Sequence, residues 1–395
     1  MRSATDERRS AGMGGRYLQW ALAQQADIIA LIREFVVCES PSGDAGALRR
    51  FADLVASSLA GQARVRIKEH LTAEISLPGR KKSGQVLTLG HLDTVWPIGT
   101  LSEMPFREKD GRLWGPGVLD MKSGIVFLIA ATRALRELDV PVSRRVLLQL
   151  NNDEEVGSHS SRALTEKNAR ESECVLVLEP GTGLGGKLKT SRKGVGDFRV
   201  TVRGKASHAG VDFASGASAV LELARQIERI AGFTGVDRGI TVNPGVISGG
   251  TRSNVVAAEA VAHVDIRIPR LRDAGPLERK FRSLRPVDKR CSIEVTGGIN
   301  RPPMERTQGT VKMLRQAQEW GREIGVEVQE SATGGGSDGN FTSALGIPTL
   351  DGLGGVGEGA HATHESTLID RIADRVALLA GLLTGDAPSI ARRRK

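Results

Sequence analysis

Apolar residues recur at helical spacing near the start of the chain: Leu18, Leu22, Ile28, Ile29, Ile32, Phe35 and Val36. That period predicts one helix. Pro41-Ser42-Gly43 ends it, and Leu48, Phe51, Val55 and Leu59 mark a second helix beyond the break. Short apolar runs then alternate with helical ones. Strands are expected at 86–89, 145–150 and 174–178, with a helix at 122–135 and a polar segment able to form a helix after Leu150. Such alternation builds a mostly parallel sheet with helices on both faces. From about residue 193 the order changes to strand 195–202, helix 217–230, strands 240–247 and 258–268, helix 277–284 and strand 291–295. This β-α-β-β-α-β order is ferredoxin-like. After Pro302-Pro303 the alternation resumes, with a helix at 311–324, strands near 326–328 and 348–351, and a final helix at 369–383. The expected fold class is α/β. A discontinuous domain, 16–192 and 304–395, is interrupted by a ferredoxin-like domain, 193–303. Residues 1–15 are polar and glycine-containing and are expected to be unstructured.

A chain of 395 residues with 48 glycines is too long for one simple core, which agrees with two domains. The net charge of +9 raises nucleic acid, an anionic membrane or an anionic small substrate as partners. Part of the excess lies in the tail Arg392, Arg393, Arg394 and Lys395, read as a solvated end. A second basic stretch, 267–290, carries no RNA-binding or helix-turn-helix signature, so nucleic acid is not expected. Cys38, Cys174 and Cys291 have no CxxC spacing, which argues against a disulfide framework and fits a reducing compartment. The stretch 17–37 is interrupted by Gln24, Gln25, Asp27, Arg33 and Glu34, so neither a signal peptide nor a membrane span is expected. The reading is a cytoplasmic protein.

The chemistry is at the strand ends. The first strand runs into His91-Leu92-Asp93, and 114–120 delivers Asp120 ahead of a helix. The next strands end in Asp153-Glu154-Glu155 and Glu179-Pro180, and a late glycine-rich loop carries His361. Ligands gather at the carboxyl ends of strands in an open α/β sheet. So many clustered carboxylates would repel and raise one another's pKa unless cations are bound. His91, Asp120, Glu155, Glu179 and His361 form a ligand set that suits zinc, with cobalt or manganese as alternatives. Five ligands are too many for one catalytic ion and suit two ions about 3.5–4 Å apart. Asp93, two residues after His91 on extended chain, is placed to accept a hydrogen bond from the imidazole. Of the adjacent Glu154 and Glu155, one can bind metal while the other acts as general base. Spacing does not say which. Gly181-Thr182-Gly183-Leu184-Gly185-Gly186 matches a dinucleotide fingerprint, but the following 187–192 looks extended, and without a helix N-terminus that reading fails.

The segments GHLDTV, GPGVLDMKSG, NNDEEVGS, LEPG, GKASHAG and GEGAHATHES, in that order, resemble the dizinc peptidase and deacylase family of glutamate carboxypeptidase, acetylornithine deacetylase, succinyl-diaminopimelate desuccinylase and aminoacylase. The resemblance runs from about Tyr17 to Leu383 and is strongest to the glutamate carboxypeptidase branch. It implies two metal ions, with Asp120 bridging, His91 and Glu179 on one ion, and Glu155 and His361 on the other. It further implies Glu154 as general base, Asp93 as orienting carboxylate, and a lid domain that also forms a homodimer. His208 would stabilise the oxyanion from the partner subunit. Asn254 and Arg267 match lid positions that contact substrate, and Arg267 would clamp a carboxylate with its planar fork. Gly334-Gly335-Gly336-Ser337-Asp338 resembles a loop near that carboxylate, with Gly335 and Gly336 offering backbone N–H groups as an anion nest. His364 stands where many relatives have aspartate and competes with His361. The activity implied is a metallocarboxypeptidase acting on a small peptide or N-acyl amino acid with a free carboxylate, glutamate being one candidate for the released residue. An N-acyl-amino-acid deacylase is the alternative, and a metal-binding association module without activity a third.

Overall fold

The structure, a computed structural model, describes residues 12–385. The chain divides into two compact units. Among the described residues, the first comprises 12–191, 306–332 and 337–385, and the second 192–305 with 333–336. The basic tail and residues 1–11 lie outside the described residues. Met13–Ala23 is already helical, which corrects the expectation for 13–15. The backbone of Gly14 donates to Glu323 Oε2 at 2.9 Å, and Tyr17 is buried.

In the first unit a six-stranded sheet has the order β1 (Ala63–Ile67), β2 (Leu71–Ile75), β4 (Arg145–Asn151), β3 (Gln85–His91), β5 (Cys174–Val177), β10 (Thr349–Leu350). β4, β3, β5 and β10 are mutually parallel, and the β1–β2 hairpin adds an antiparallel edge. Every residue of β3 is buried. Val86 joins the large core that includes the helices Ser123–Glu137 and Ile372–Thr384, whereas Leu87 and Leu89 pack on the other face with Ala169, Val175 and Val177. A parallel sheet covered on both faces needs such continuous apolar strands. The long helix expected near the start is two, Met13–Ala23 and Gln25–Val37, broken at Gln24. The break lets Tyr17 and Ala21 share a core with Ile28, Ile32, Phe35 and Val36. No strand forms at 326–328. The N–H of Val326 donates to Gly321 O at 2.8 Å and closes the helix Gln308–Glu323, with Gly325 left-handed (φ 74°) between them.

The second unit is an antiparallel sheet of β7 (Thr241–Gly249), β8 (Glu259–Ile268), β6 (Gly194–Arg203) and β9 (Ser292–Arg301), in that order. The helices Ala219–Ala231 and Ala274–Arg282 complete the β-α-β-β-α-β sequence. Alternate residues of β6 and β8 (Phe198, Val200, Val202, Val264, Ile266) meet Leu223, Ile230, Leu277 and Phe281 in one core. The rings of Phe198 and Phe281 stack at 4.1 Å. Thr333–Gly336 also belongs to this unit, so part of the glycine loop falls outside the domain the sequence assigns to it. Among the described residues, no helix is long and apolar enough to cross a membrane.

Candidate metal centre

β3 lies between β4 and β5, and the chain passes from β4 across β3 to reach β5. The carboxyl end of β3 is therefore a topological switch point, where an open α/β sheet offers a crevice. His91 ends β3 and is buried there. Its Nε2 lies 3.2 Å from Asp120 Oδ1 and 3.6 Å from Glu179 Oε1. Asp120 Oδ2 is 3.5 Å from Nε2 of His361, and that nitrogen is 3.2 Å from Glu155 Oε1. Two triads result, His91–Asp120–Glu179 and Asp120–Glu155–His361, each with donor atoms within 4.8 Å of one another. Asp120 belongs to both.

The electrostatics fit a cation in each triad. Burial alone would lower the His91 pKa, yet the Asp120 and Asp93 carboxylates raise it well above its ordinary value. His361 is raised to about 10, first by Asp120 and then by Glu155. Burial would raise the Asp120 carboxyl, but His361 and His91 hold it below its ordinary value. Among the described residues, the ion-pair partners of Asp120 and Glu155 are imidazoles, with no lysine or arginine. Such a field favours positive charge at each imidazole, where a proton and a divalent ion compete for one nitrogen.

Local structure aims these side chains. Asp120 sits in a turn whose 120–121 peptide is cis. Glu365, 1% exposed, organises that turn. Its Oε1 accepts from the N–H of Leu119 (2.8 Å) and Asp120 (3.0 Å), and its Oε2 from the N–H of Gly117 (2.9 Å) and the indole of Trp96 (2.8 Å). The Asp93 carboxylate accepts from the N–H of Glu154 (3.2 Å), the N–H of Glu155 (3.1 Å) and the Ser42 hydroxyl (2.8 Å). It thus holds the loop with the paired glutamates while its Oδ1 also stands beside the His91 ring. His91 Nδ1 lies 2.8 Å from the backbone carbonyl of Asp93, against 3.5 Å to its nearest carboxylate oxygen. With Nδ1–H donated to that carbonyl, Nε2 faces Asp120 and Glu179.

His361 has φ of 62°, a left-handed conformation that costs a non-glycine residue free energy and recurs at functional sites. It lies in the turn between β11 (Gly357–Glu358) and β12 (Ser366–Leu368). His364 is exposed and belongs to neither triad, which separates the two histidines the sequence left in competition.

The remaining candidates lie in the second unit. His208 Nδ1 accepts from Gly210 N–H at 3.1 Å, and Ala209 N–H donates to Asn254 O at 2.9 Å, so the His208 and Asn254 loops pair. The Arg267 fork is engaged by its own strand: Nε and Nη2 meet Asp265 Oδ1 and Oδ2 at 2.9 and 2.8 Å. Arg192 Nη1 donates to the carbonyls of Gly335 (3.3 Å) and Gly336 (2.9 Å). None of Gly334, Gly335 and Gly336 has a left-handed φ, so these N–H groups lack the alternating geometry of an anion nest. Sequence reasoning passed over Glu365, whose one signal is its place in the His364-Glu365-Ser366 run, and Ser42 in a segment read only as a helix stop.

The model of the family described as Peptidase family M20/M25/M40 matches residues 87–385. Carboxypeptidase G2 of Pseudomonas sp. (strain RS-16) is 27% identical over 380 residues, covering 92% of this chain and 90% of its own. Succinyl-diaminopimelate desuccinylase of Cereibacter sphaeroides (strain ATCC 17025) is 27% identical over 373 residues, covering 88% and 95%. Among solved structures, the Bacillus subtilis YXEP protein, described as a dinuclear metal binding peptidase, superposes with a TM-score of 0.65 at 14% identity, covering 92% of this chain and 99% of that one.

Proposed function

The chain belongs to peptidase family M20/M25/M40, and from that premise we propose that it is a two-metal carboxypeptidase releasing a C-terminal amino acid, glutamate being one candidate, from a small peptide or N-acyl conjugate. Membership makes it a metal-dependent hydrolase of amide bonds, which sets aside an association module without activity. The observation that carries the two-metal reading is Asp120's place in both triads. His91 and Glu179 would hold one ion and Glu155 and His361 the other, with Asp120 shared. Zinc suits these donors best, and cobalt and manganese are compatible. When bound, the ions would lend Lewis acidity to the amide carbonyl and lower the pKa of the attacking water. Glu154 takes the proton of that water and returns it to the leaving amine. Asp93 keeps Glu154 and Glu155 in register through their N–H groups. His208, reaching across from the other subunit of a homodimer, stabilises the oxyanion. Asn254, Gly335 and Gly336 line the substrate, and Arg267 meets its carboxylate by exchanging Asp265 for it.

A deacylase of N-acyl amino acids is the second reading, favoured by equal identity to the desuccinylase. A panel of dipeptides, N-acyl amino acids and N-succinyl amino acids, with the protein loaded with zinc, cobalt or manganese, separates the two. Turnover of dipeptides ending in glutamate above all others supports the carboxypeptidase, and turnover confined to acyl conjugates overturns it.

The second unit is assigned to homodimerisation. Its edge strand β7 exposes Val246 and Ile247, and the same unit exposes Val211, Phe213, Val220 and Leu221, apolar side chains that an interface would cover. Ile247→Glu should convert a dimer to a monomer in sedimentation velocity, and an unchanged dimer contradicts the assignment. The three cysteines are free, which supports a reducing, cytoplasmic setting.

A further inference from the structure

Glu154 and Glu155 sit on a loop between β4 and the helix Arg162–Arg170. One buried carboxylate grips both ends of that loop. At the front, the Asn151 side-chain amide donates from Nδ2 to Asp338 Oδ2 at 2.6 Å. At the back, the Ser158 hydroxyl donates to Asp338 Oδ1. Asp338 is 3% exposed, and Asn151 and Ser158 are fully buried. Ser158 is left-handed (φ 56°), a conformation serine holds only where surrounding contacts over-determine it.

The front anchor is itself fixed. Asn151 Oδ1 accepts from Gln149 Nε2 (2.9 Å), Asn151 Nδ2 also reaches Thr165 Oγ1 (3.1 Å), and Asn168 Nδ2 donates to Gln149 Oε1 (2.7 Å). Asn151 is the cross-strand partner of His91, and its carbonyl accepts from Leu92 N–H at 2.7 Å. Between the anchors, Gly157 N–H donates to Glu154 O (3.0 Å) and Ser158 N–H to Asp153 O (2.7 Å). The arch 152–157 is therefore closed by its own turns and held by two carboxylates, Asp93 at the glutamate N–H groups and Asp338 at its ends. A hydrogen bond to an ionised, buried carboxylate is among the stronger ones a protein makes, and leaving either oxygen against a mismatched partner is costly.

We infer that Asp338 is a positioning residue for the Glu154–Glu155 arch, setting the ligand direction of Glu155 and the reach of Glu154. The inference rests on the roles proposed for those two glutamates. With its one remaining oxygen kept on the Ser158 hydroxyl, Asp338→Asn puts an amide NH2 against the Asn151 NH2. Adding Asn151→Asp reverses the bond. The carboxylate then at position 151 can accept from the amide at position 338, from Gln149 and from the Thr165 hydroxyl, while the amide oxygen at position 338 still accepts from Ser158.

The test titrates cobalt alone into metal-free protein, following cobalt absorption, and measures kcat and KM on whichever dipeptide or N-acyl amino acid the wild type turns over. D338N should bind its second cobalt equivalent about 10–100-fold more weakly and lose kcat with KM little changed. D338N/N151D should recover both to within a few-fold. Wild-type cobalt affinity and kcat in D338N overturn the inference. So does a double variant as impaired as D338N, including the case where D338N does not fold. Glu155→Ala separates the two levels. If it retains both cobalt equivalents at wild-type affinity, the underlying site reading fails. If it loses one while D338N loses neither, only the role of Asp338 fails.

Discussion

Glu222 in the second unit and Asp120 in the first are carboxylates withdrawn from water, and they are satisfied in opposite ways. Glu222 is fully buried and surrounded by donors: Gln226 Nε2 at 2.7 Å, the N–H groups of Val287 and Asp288 at 2.9 Å, and Arg225 Nη1 at 3.5 Å. Those bonds tie the helix Ala219–Ala231 to the chain leaving the helix Ala274–Arg282. Asp120 meets two imidazoles, and the carboxylates of Glu155 and Glu179 share those imidazoles with it. A carboxylate whose donors are built into the backbone serves the fold. Carboxylates gathered around imidazoles leave room for cations, because the protein supplies too little fixed positive charge to hold them together. Glu365 is of the first kind although it stands beside the second, and Asp338, held by the Asn151 amide and the Ser158 hydroxyl, likewise meets neutral donors and not imidazoles; the two show where the scaffold ends and the site begins.

The sharpest way to break that division is Glu154→Ala. As a base and not a ligand, Glu154 should cost about 10²–10⁴-fold in kcat when removed, with metal content by elemental analysis unchanged. Near-normal turnover would end its assignment. Next is Glu365→Gln, which sets an NH2 group against two of four donors and frees the Asp120 turn. Metal affinity should fall by about 10–100-fold, as for other groups that orient ligands, together with a lower melting temperature. Unchanged affinity would make Glu365 purely structural. The smallest effect is expected from Glu222→Gln, which leaves cobalt binding untouched. Exchange of the Val287 and Asp288 amides should quicken by about tenfold, the scale of one mismatched buried hydrogen bond. Burial would raise the Glu222 pKa, but the Asp288 and Val287 N–H groups, with Gln226 and Arg225, bring it below its ordinary value. A depressed folded pKa gives stability that is present above the unfolded value, about 4.3, and is lost as pH falls through the folded one. The wild type's protection over the Gln variant should therefore be full at pH 7 and shrink below about pH 4. A difference independent of pH would contradict the charged state of Glu222.

His91, Asp120, Glu155, Glu179 and His361 were legible as a group because each ends a strand or sits in a turn at one sheet edge, and sheet topology carries strand ends together. The inserted β-α-β-β-α-β order was legible for the same reason, as a change in the period of apolar positions. Glu365 and Asp338 were not. Their bonds go to backbone N–H groups and to side chains 180–269 residues away, and no local pattern records such contacts. Asp93 shows a subtler limit: the i, i+2 spacing brought it beside His91, but did not show the nearer approach of its backbone carbonyl to the ring or the hold of its carboxylate on the glutamate loop. For Arg267 the missing piece was Asp265, two residues away on the same strand face. The β1–β2 hairpin, by contrast, carries the apolar–polar alternation of half-buried strands (Val65 and Ile67 between Arg64 and Arg66; Leu71, Ala73 and Ile75 about Thr72 and Glu74) and was legible but passed over.

The central claim is that Asp120 is shared by two cation sites. Isothermal titration of cobalt into metal-free protein tests it directly. The account predicts two equivalents per chain for the wild type and one for His361→Ala. A single equivalent in the wild type, or two undiminished equivalents in the variant, would contradict it.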